Sequence, residues 1–263
     1  MGSAQQTVTA PDGSIVSGQI ANATLALPSG LTVSANTGIG TTSPDGALHV
    51  KGISDHGRIV LESGGTSGAN NNMFMQFHNN GGTEIAQIEV AEGASNEGQI
   101  VFKTGGTTTA MTIDKDGHIT KPLQPAVQAS VGSNQLNITA GSLYTIPFGT
   151  EIFDQNADYN NSTYTFTAPV TGKYFIGLQS TIGGAPEEAD YYQYTVVTSN
   201  RTYNATVDPD MVQSVPVYDN FNFIVLADMD ASDTCIVKFL VASNGGNTLD
   251  FYAQSYMSIY LVC

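Results

Sequence analysis

The large aromatic side chains of this 263-residue chain lie almost entirely in its second half. All 12 tyrosines and eight of the 11 phenylalanines follow residue 122, whereas 19 of the 28 glycines and all four histidines precede residue 123. Because a core is built from large apolar side chains, residues 1–122 cannot form a conventional core within one chain, and residues 123–263 can. The sequence therefore predicts two domains, 1–122 and 123–263, joined by the proline-containing linker Thr120–Ala126.

Both domains are predicted to be all-β. Glycine, proline or β-branched residues interrupt every window of about 12 residues, the length that a helix needs to be more than marginal. In the second domain apolar and polar residues alternate, as in Thr234–Val241 and Tyr256–Val262. Nine or ten such short strands predict a jelly-roll sandwich, and they lie near residues 143–148, 150–154, 163–167, 173–180, 191–198, 202–207, 221–227, 234–241, 249–253 and 256–262.

The first domain has shorter apolar segments, separated by turn clusters such as Asp114–Gly117. Strands of three or four residues do not close a core within one chain, but several copies that wrap around a shared axis do. The pattern predicts a slender, intertwined, trimeric β-shaft with strands at residues 31–33, 48–50, 58–61, 99–102 and 111–113. The alternative is a disordered linker, and the regular apolar triplets count against it.

The low content of charged residues and the net negative charge exclude several classes of function. Only 12% of the residues are charged, and the net charge is −15. Binding to nucleic acid or to anionic membranes requires clustered cations, which this chain lacks. No apolar run approaches the roughly 20 residues that span a bilayer, so membrane insertion is not expected. Cys235 and Cys263 are too few for a disulfide scaffold or a cysteine-built metal site, and the sequence leaves their pairing open.

The first domain resembles bacteriophage tail fibres. Asn36–Val50 contains Gly-Ile-Gly-Thr-Thr-Ser-Pro followed by Leu-His-Val, and it resembles a recurrent element of those fibres. Gly98–Gly105 and Met111–Ile119 are similar to distal fibre-shaft sequence, and Asp12–Ala21 has the same character. The resemblance implies a fibre shaft on a virus particle.

The second domain resembles the complement-type globular head, the jelly roll shared with the tumour necrosis factor family. The pattern Phe-Thr-Ala-Pro-Val-Thr-Gly-Lys-Tyr-Phe at Phe166–Phe175 carries the likeness, and Asp233–Val237 fits a later strand with Ser232 in place of the usual glycine. Met257–Leu261 departs from the family pattern at two positions. The resemblance implies a homotrimer whose aromatic-rich faces pack around the threefold axis. It implies no function, since one head of this kind serves many partners.

The sequence offers a weak candidate calcium site, and His78 and His118 could hold a metal around a trimer axis, although hydrogen-bonded or solvated histidines are the alternative. Asp154, Asn156 and Asp158 have the spacing that opens a calcium loop, but Tyr159 stands at the sixth position and Thr165 at the twelfth, so the loop is not an EF-hand. The alternative is an ordinary hydrogen-bonded loop. No phosphate loop or nucleophile elbow occurs, and the chain is not expected to be an enzyme.

Recognition is predicted on the head, because binding energy concentrates in aromatic anchors and the first domain has no tyrosine. Loops near residues 183–194, 203–220 and 243–250 mix tyrosine with asparagine, aspartate and glycine. The predicted receptor-binding residues are Tyr191, Tyr192, Tyr203 and Tyr218. The alternative is that these tyrosines pack within or between protomers.

The sequence thus predicts a trimeric tail-fibre or receptor-binding protein of a phage-type virion, extracellular when it functions. Its head would bind a host cell-surface protein or glycan with the avidity of three copies, and its N-terminal end would contact other virion proteins. One alternative is a structural virion or appendage protein whose head only drives trimerisation. Another is a depolymerase of surface polysaccharide.

Overall fold

The computed structural model describes residues 36–39, 41, 43–52, 59–62, 71–92, 97–184, 186, 188–208, 218–242 and 248–263. Every regular element within these ranges is a β-strand, so the all-β prediction is confirmed. None of these residues belongs to a helix that could cross a membrane. By packing, the chain divides into a first unit, Met1–Glu62, and a second unit, Ser63–Cys263.

The first unit contains a parallel strand pair, β1 (Thr37–Ile39) and β2 (Leu48–Val50), in the tail-fibre-like segment. The predicted strand at 48–50 is therefore confirmed. The strand predicted at 58–61 is wrong in the described residues 59–61, which form no ladder and expose Ile59 and Val60 to solvent. The strand predicted at 31–33 lies outside the described residues, as does the fibre-like segment Asp12–Ala21.

The second unit begins with an antiparallel meander of five described strands, here called the meander sheet. Its strands are β3 (Met73–His78), β4 (Glu84–Glu92), β5 (Gly98–Thr104), β6 (Thr108–Ile113) and β7 (Ile119–Thr120). Four of these strands have six to nine residues, so the predicted length of three or four was wrong. Polar residues such as Gln87 and Lys103 alternate with the apolar ones in these strands. Because the prediction was based on apolar runs, it detected only fragments of each strand.

The rest of the described chain forms a sandwich of two antiparallel sheets, which we call the head. The first head sheet has the order β11-β8-β20-β14-β19-β9, with β17 also paired to β14. Its strands are β8 (Ala126–Ser130), β9 (Gln135–Thr139), β11 (Thr150–Asp154), β14 (Gly172–Gly183), β17 (Asp219–Met229), β19 (Thr248–Phe251) and β20 (Tyr256–Leu261).

The second head sheet has the order β12-β13-β18-β15-β16, and β10 also pairs with β18. Its strands are β10 (Tyr144–Thr145), β12 (Tyr159–Asn160), β13 (Thr165–Thr167), β15 (Tyr191–Thr198), β16 (Thr202–Val207) and β18 (Thr234–Ala242). The chain crosses between the sheets eight times over these strands, after β9, β10, β11, β13, β14, β16, β17 and β18. This repeated crossing gives the jelly-roll sandwich that the sequence predicts.

The core of the head lies between its two sheets and is rich in aromatic rings. Phe239 of β18 contacts Tyr194 and Phe251, with ring centroids 4.7 Å and 5.0 Å away, and Phe166 meets Tyr174 edge-on at 5.5 Å. Buried phenol groups need partners, and the Tyr174 hydroxyl donates to the carbonyl oxygen of Val170 at 2.7 Å. The predicted inward faces of β18 and β20 are confirmed by the burial of alternate residues.

Hydrogen bonds hold the predicted linker against the head. The Gln155 side-chain amide donates to the carbonyl oxygens of Lys121, Pro122 and Gln124, at 3.0, 3.1 and 2.7 Å. The predicted boundary at residue 122 thus separates two sheets inside one compact unit. Both cysteines are free, Cys235 in the core and Cys263 at the surface. Burial raises the pKa of the Cys235 thiol to about 12, which makes this thiol unreactive.

Candidate functional site

The first head sheet turns one face toward the core and the other, here called the outer face, toward solvent. Alternate residues of β14, β17 and β20 are buried, so the residues between them form the outer face. Strand register arranges these residues in rows. The first row is Leu226, Phe175, Tyr260 and Ala126; the second is Ile224, Gly177, Ser258, Gln128 and Phe153; the third is Asn222, Gln179, Tyr256, Ser130 and Thr150; and the fourth is Asn220 and Thr181.

The first two rows are the apolar part of the outer face. Phe175 and Tyr260 stack with their ring centroids 4.8 Å apart and their planes 22° apart. A Cβ atom on Gly177 would lie 2.7 Å from Cε1 of Phe175, so the absence of a side chain at Gly177 leaves room for that ring. Ile224, beside Gly177 on β17, is 63% exposed, and Leu226 is also exposed. Large apolar groups thus face water.

The polar side chains of the outer face, which lie in its second, third and fourth rows, bind one another. The Gln128 amide donates to the Ser258 hydroxyl at 2.9 Å, and the Thr181 hydroxyl donates to the Asn220 side-chain oxygen at 2.7 Å. The Tyr256 hydroxyl donates to the side-chain oxygen of Gln179. These pairs hold the polar side chains in fixed positions before any partner binds, which lowers the entropy cost of binding.

The four rows contain no charged side chain, although the chain carries a net charge of −15. Charge begins one row beyond Phe175, where Asp228 accepts hydrogen bonds from the Arg201 guanidinium at 2.7 Å and the Tyr203 hydroxyl at 3.1 Å. Desolvation opposes ionisation of Asp228, but hydrogen bonds from its own backbone, Tyr203 and Arg201 outweigh it and lower the pKa of this carboxyl. The outer face is therefore an uncharged surface with a charged border.

Two of the four predicted receptor-binding tyrosines are held by the protomer itself. Tyr192 is only 1% exposed, lies in the core and donates its hydroxyl to the carbonyl oxygen of Pro186 at 2.6 Å. Its predicted exposure is therefore wrong, because β15 turns Tyr192, Tyr194 and Val196 inward together. Tyr203 is partly buried against the core and bonded to Asp228.

The other two predicted tyrosines remain accessible. Tyr191 is half-buried on the opposite side of β15. Tyr218 is exposed immediately before β17, and its ring meets Tyr252 edge-on with centroids 4.8 Å apart. The structure therefore does not bring the four tyrosines together into one site. The sequence reasoning missed Tyr252. This residue follows the alternating segment Leu249–Phe251 at a turn, and an aromatic residue at such a position is the signal that could have identified it.

The predicted calcium residues form a hydrogen-bonded turn. The Asp154 carboxylate accepts the backbone N–H groups of Asp158 at 3.1 Å and Tyr159 at 2.9 Å. One carboxylate oxygen of Asp158 is enclosed and lacks a hydrogen-bond partner. Burial first, and the nearby Asp154 charge second, raise the pKa of Asp158. The turn fits the hydrogen-bonded-loop alternative, and calcium binding there stays a prediction.

A second group of ligand-type side chains lies in the β6–β7 turn of the meander sheet. Potential ligand atoms of Asp114, Asp116 and His118 lie within 4.8 Å of one another. The Asp114 carboxylate accepts the backbone N–H groups of His118 at 2.8 Å and Asp116 at 2.9 Å, and it also contacts the His118 ring at 3.0 Å. The hydrogen bond from the His118 backbone is the main cause of the lowered pKa of Asp114. These contacts already give the group a structural role as a turn.

Comparison with solved structures finds similar folds over about half of the chain. The globular domain of zebrafish complement 1qA protein is 14% identical, has a TM-score of 0.40, and matches over 53% of this chain and 98% of its own. Eiger TNF from S. frugiperda is 9% identical, has a TM-score of 0.39, and matches over 53% and 93%. The PRD1 vertex protein P5 is 10% identical, has a TM-score of 0.39, and matches over 59% and 83%. No family model and no curated protein matches the chain.

Proposed function

We propose that this chain is a trimeric attachment protein of a phage-type particle, in which three heads join through their outer faces and bind a host surface. The observation that carries the proposal is the uncharged outer face with its apolar rows. Exposed apolar surface of this kind marks an interaction site in soluble proteins. Because each copy has a net charge of −15, copies repel one another except where an uncharged face meets another.

A second copy of this chain is therefore the occupant that fits the outer face. The number three comes from the sequence resemblance to complement-type heads, and the particle comes from the resemblance of Asn36–Val50 to tail fibres. Receptor binding then falls to surface outside the outer face. The ring pair of exposed Tyr218 and half-buried Tyr252 supplies aromatic contact area there, and aromatic residues are enriched among binding hot spots.

Assembly is tested by a charge placed on the outer face. Light scattering of the intact chain should give about three times the mass of 27.6 kDa. Ile224→Asp should give a monomer, because each association would bury an unpaired carboxylate. The matched control is Leu143→Asp, in the turn before β10, where the leucine is 51% exposed and lies off the outer face. A trimeric Ile224→Asp, or a monomeric parent chain, would refute this mode of assembly.

Attachment is tested separately, by binding of the purified trimer to whole cells of several bacteria. Tyr218→Ala should reduce binding at least tenfold without changing the trimer or its Tm, because a central aromatic anchor contributes about 2 kcal/mol or more. The control is Tyr260→Phe, which keeps the outer-face stack. A trimer that binds no cells would favour the structural alternative, and release of reducing ends from host polysaccharide would favour the depolymerase.

A further inference from the structure

One face of the meander sheet holds a lysine and two side-chain amides that meet on a single carboxylate. Glu89 lies on β4, between β3 and β5, and is only 5% exposed. The Lys103 ammonium on β5 contacts Oε2 of Glu89 at 2.5 Å, and the side-chain amide of Gln87 donates to the same oxygen at 3.3 Å. The Asn72 amide donates to the other oxygen, Oε1. One carboxylate oxygen therefore contacts both an amine and an amide.

Gln87 and Lys103 are direct neighbours across two strands. The β4–β5 register pairs them, so their Cβ atoms lie about 4.5–5.5 Å apart and their side chains extend from the same face of the sheet. Glu89 is two positions from Gln87 on β4 and lies on that face too. Gln87 is buried, and the Lys103 side chain is 21% exposed. Strand pairing thus sets the positions of the three side chains, and water has little access to them.

The ion pair between Glu89 and Lys103 is unfavourable to bury. Attraction between two charges taken out of water often does not offset their loss of hydration. Transfer of one proton from the Lys103 ammonium to the Glu89 carboxylate removes both charges, and it leaves a neutral amine, which is a nucleophile. The side-chain carbonyl carbon of Gln87, Cδ, is the electrophile beside that amine. The three residues therefore contain every group that aminolysis of an amide requires.

We propose that Lys103 and Gln87 join spontaneously in an isopeptide bond that links β5 covalently to β4. Nζ of Lys103 attacks Cδ of Gln87 and forms the new C–N bond. Glu89, which carries the first proton from Lys103, protonates Nε2 of Gln87 and receives a second proton from Nζ as the old C–N bond breaks. The products are one new amide, one ammonia and a neutral Glu89. Atoms and charges balance without an oxidant or any other co-reactant.

The bond would stabilise the part of the second unit that has the least buried apolar surface. The meander sheet leaves Met75 and Ile100 on its other face exposed in one chain. A covalent link between β4 and β5 closes their hairpin into a ring and removes conformations from the unfolded state, as a disulfide does. Both cysteines of the chain are free, so the isopeptide bond would supply the covalent constraint that no disulfide provides.

Mass spectrometry of the purified full chain tests the proposal. The parent chain should be about 17 Da lighter than its linear sequence, because one ammonia is lost. Digestion after glutamate should release a branched peptide in which Ile85–Glu89 is joined to the fragment that begins at Gly98. Two variants should keep the full linear mass. Lys103→Arg retains the positive charge but lacks the amine, and Glu89→Gln retains both reacting groups but lacks the proton carrier.

The matched control is Lys115→Arg, at a lysine paired with the adjacent Asp116, and it should lose ammonia as the parent does. A parent chain of full linear mass would overturn the proposal and leave Glu89 and Lys103 as an ordinary ion pair. This measurement does not depend on whether a variant folds. Loss of ammonia that persists in Lys103→Arg would also overturn the proposal, because another amide of the chain would then be its source. Neither result bears on the trimer of the proposed function.

Discussion

Two aspartates in one turn of the head are held in opposite ways. Asp154 accepts two backbone hydrogen bonds, so its charge is well solvated by the protein. Asp158 has an enclosed oxygen without a partner, and burial followed by the Asp154 charge raises its pKa. A group whose pKa is raised on folding stabilises the fold at low pH, and this stabilisation is lost as the pH rises through the folded-state value. At neutral pH the ionised Asp158 therefore lowers the stability of the head.

Asp158→Asn should accordingly raise the Tm at pH 7, and the gain should shrink toward zero near pH 3, where the parent carboxyl is already neutral. The control is Asp154→Asn, which removes the same charge four residues away. It should cost about 1 kcal/mol, because an amide cannot accept both backbone N–H groups. Thermal melts across pH measure both effects. A lower Tm for Asp158→Asn in calcium, reversed by chelator, would mean that Asp158 holds a cation instead.

The tyrosines show which part of a site sequence reasoning can reach. The alternation Tyr192, Tyr194, Val196 was available in the sequence and indicates an inward-facing stripe, so the burial of Tyr192 was predictable from it. The contact between Tyr218 and Tyr252 was not, because it joins residues 34 positions apart in the chain through tertiary packing. The periodicity of a sequence segment predicts on which face of its strand a residue lies. It does not predict which residue of another strand that residue contacts.

At the scale of elements, β14 is the strand on which the outer face depends. Its buried residues pack in the core, and its Phe175 and Gly177 shape the apolar rows of the outer face. Gly177→Val would place a Cβ atom 2.7 Å from Cε1 of Phe175 and push the ring away from Tyr260. The lost stack is worth about 1 kcal/mol per protomer, so the trimer should dissociate at several-fold higher protein concentration.

Dilution followed by light scattering measures this dissociation, and Asn222→Val is the control. Asn222 is two rows from Phe175 on the same face, so a β-branched side chain there adds apolar surface without displacing the ring. The Tm of the protomer core should hardly change in either variant, since both positions lie outside the core. If Gly177→Val instead strengthens the trimer, the stacked position of the Phe175 ring does not contribute to assembly.

Strand prediction succeeded in the head, where the buried face of a strand is apolar, and it failed for β3 and β4, whose sequences lack that pattern. Alternation in Thr234–Ala242 gave β18 with its inward face, because the core imposes a period of two on the sequence. Met73–His78 carries large apolar residues on both sides of β3, so its pattern shows no period, and the strand was not predicted. The buried side chains of β4 are the polar Gln87 and Glu89. Their burial depends on partners from neighbouring strands, which the sequence of β4 alone does not show.

At the scale of the whole molecule, the head and the meander sheet differ in what they need in order to fold. The head buries its aromatic core between two sheets of one chain. The meander sheet, by contrast, leaves apolar side chains on one of its faces, among them Met75 and Ile100, exposed in one chain. The head should therefore fold independently and supply the trimer on which the meander sheet depends.

Residues 123–263 expressed alone should be trimeric and melt cooperatively, whereas residues 71–122 alone should show little stable sheet by circular dichroism. Fusing residues 71–122 to an unrelated trimeric coiled coil should restore the sheet, because the coiled coil replaces the head as the source of three nearby copies. Fusion to a monomeric carrier is the control and should not restore it. A stable sheet in the isolated fragment would reverse the order of dependence, since the meander sheet would then bring the heads together.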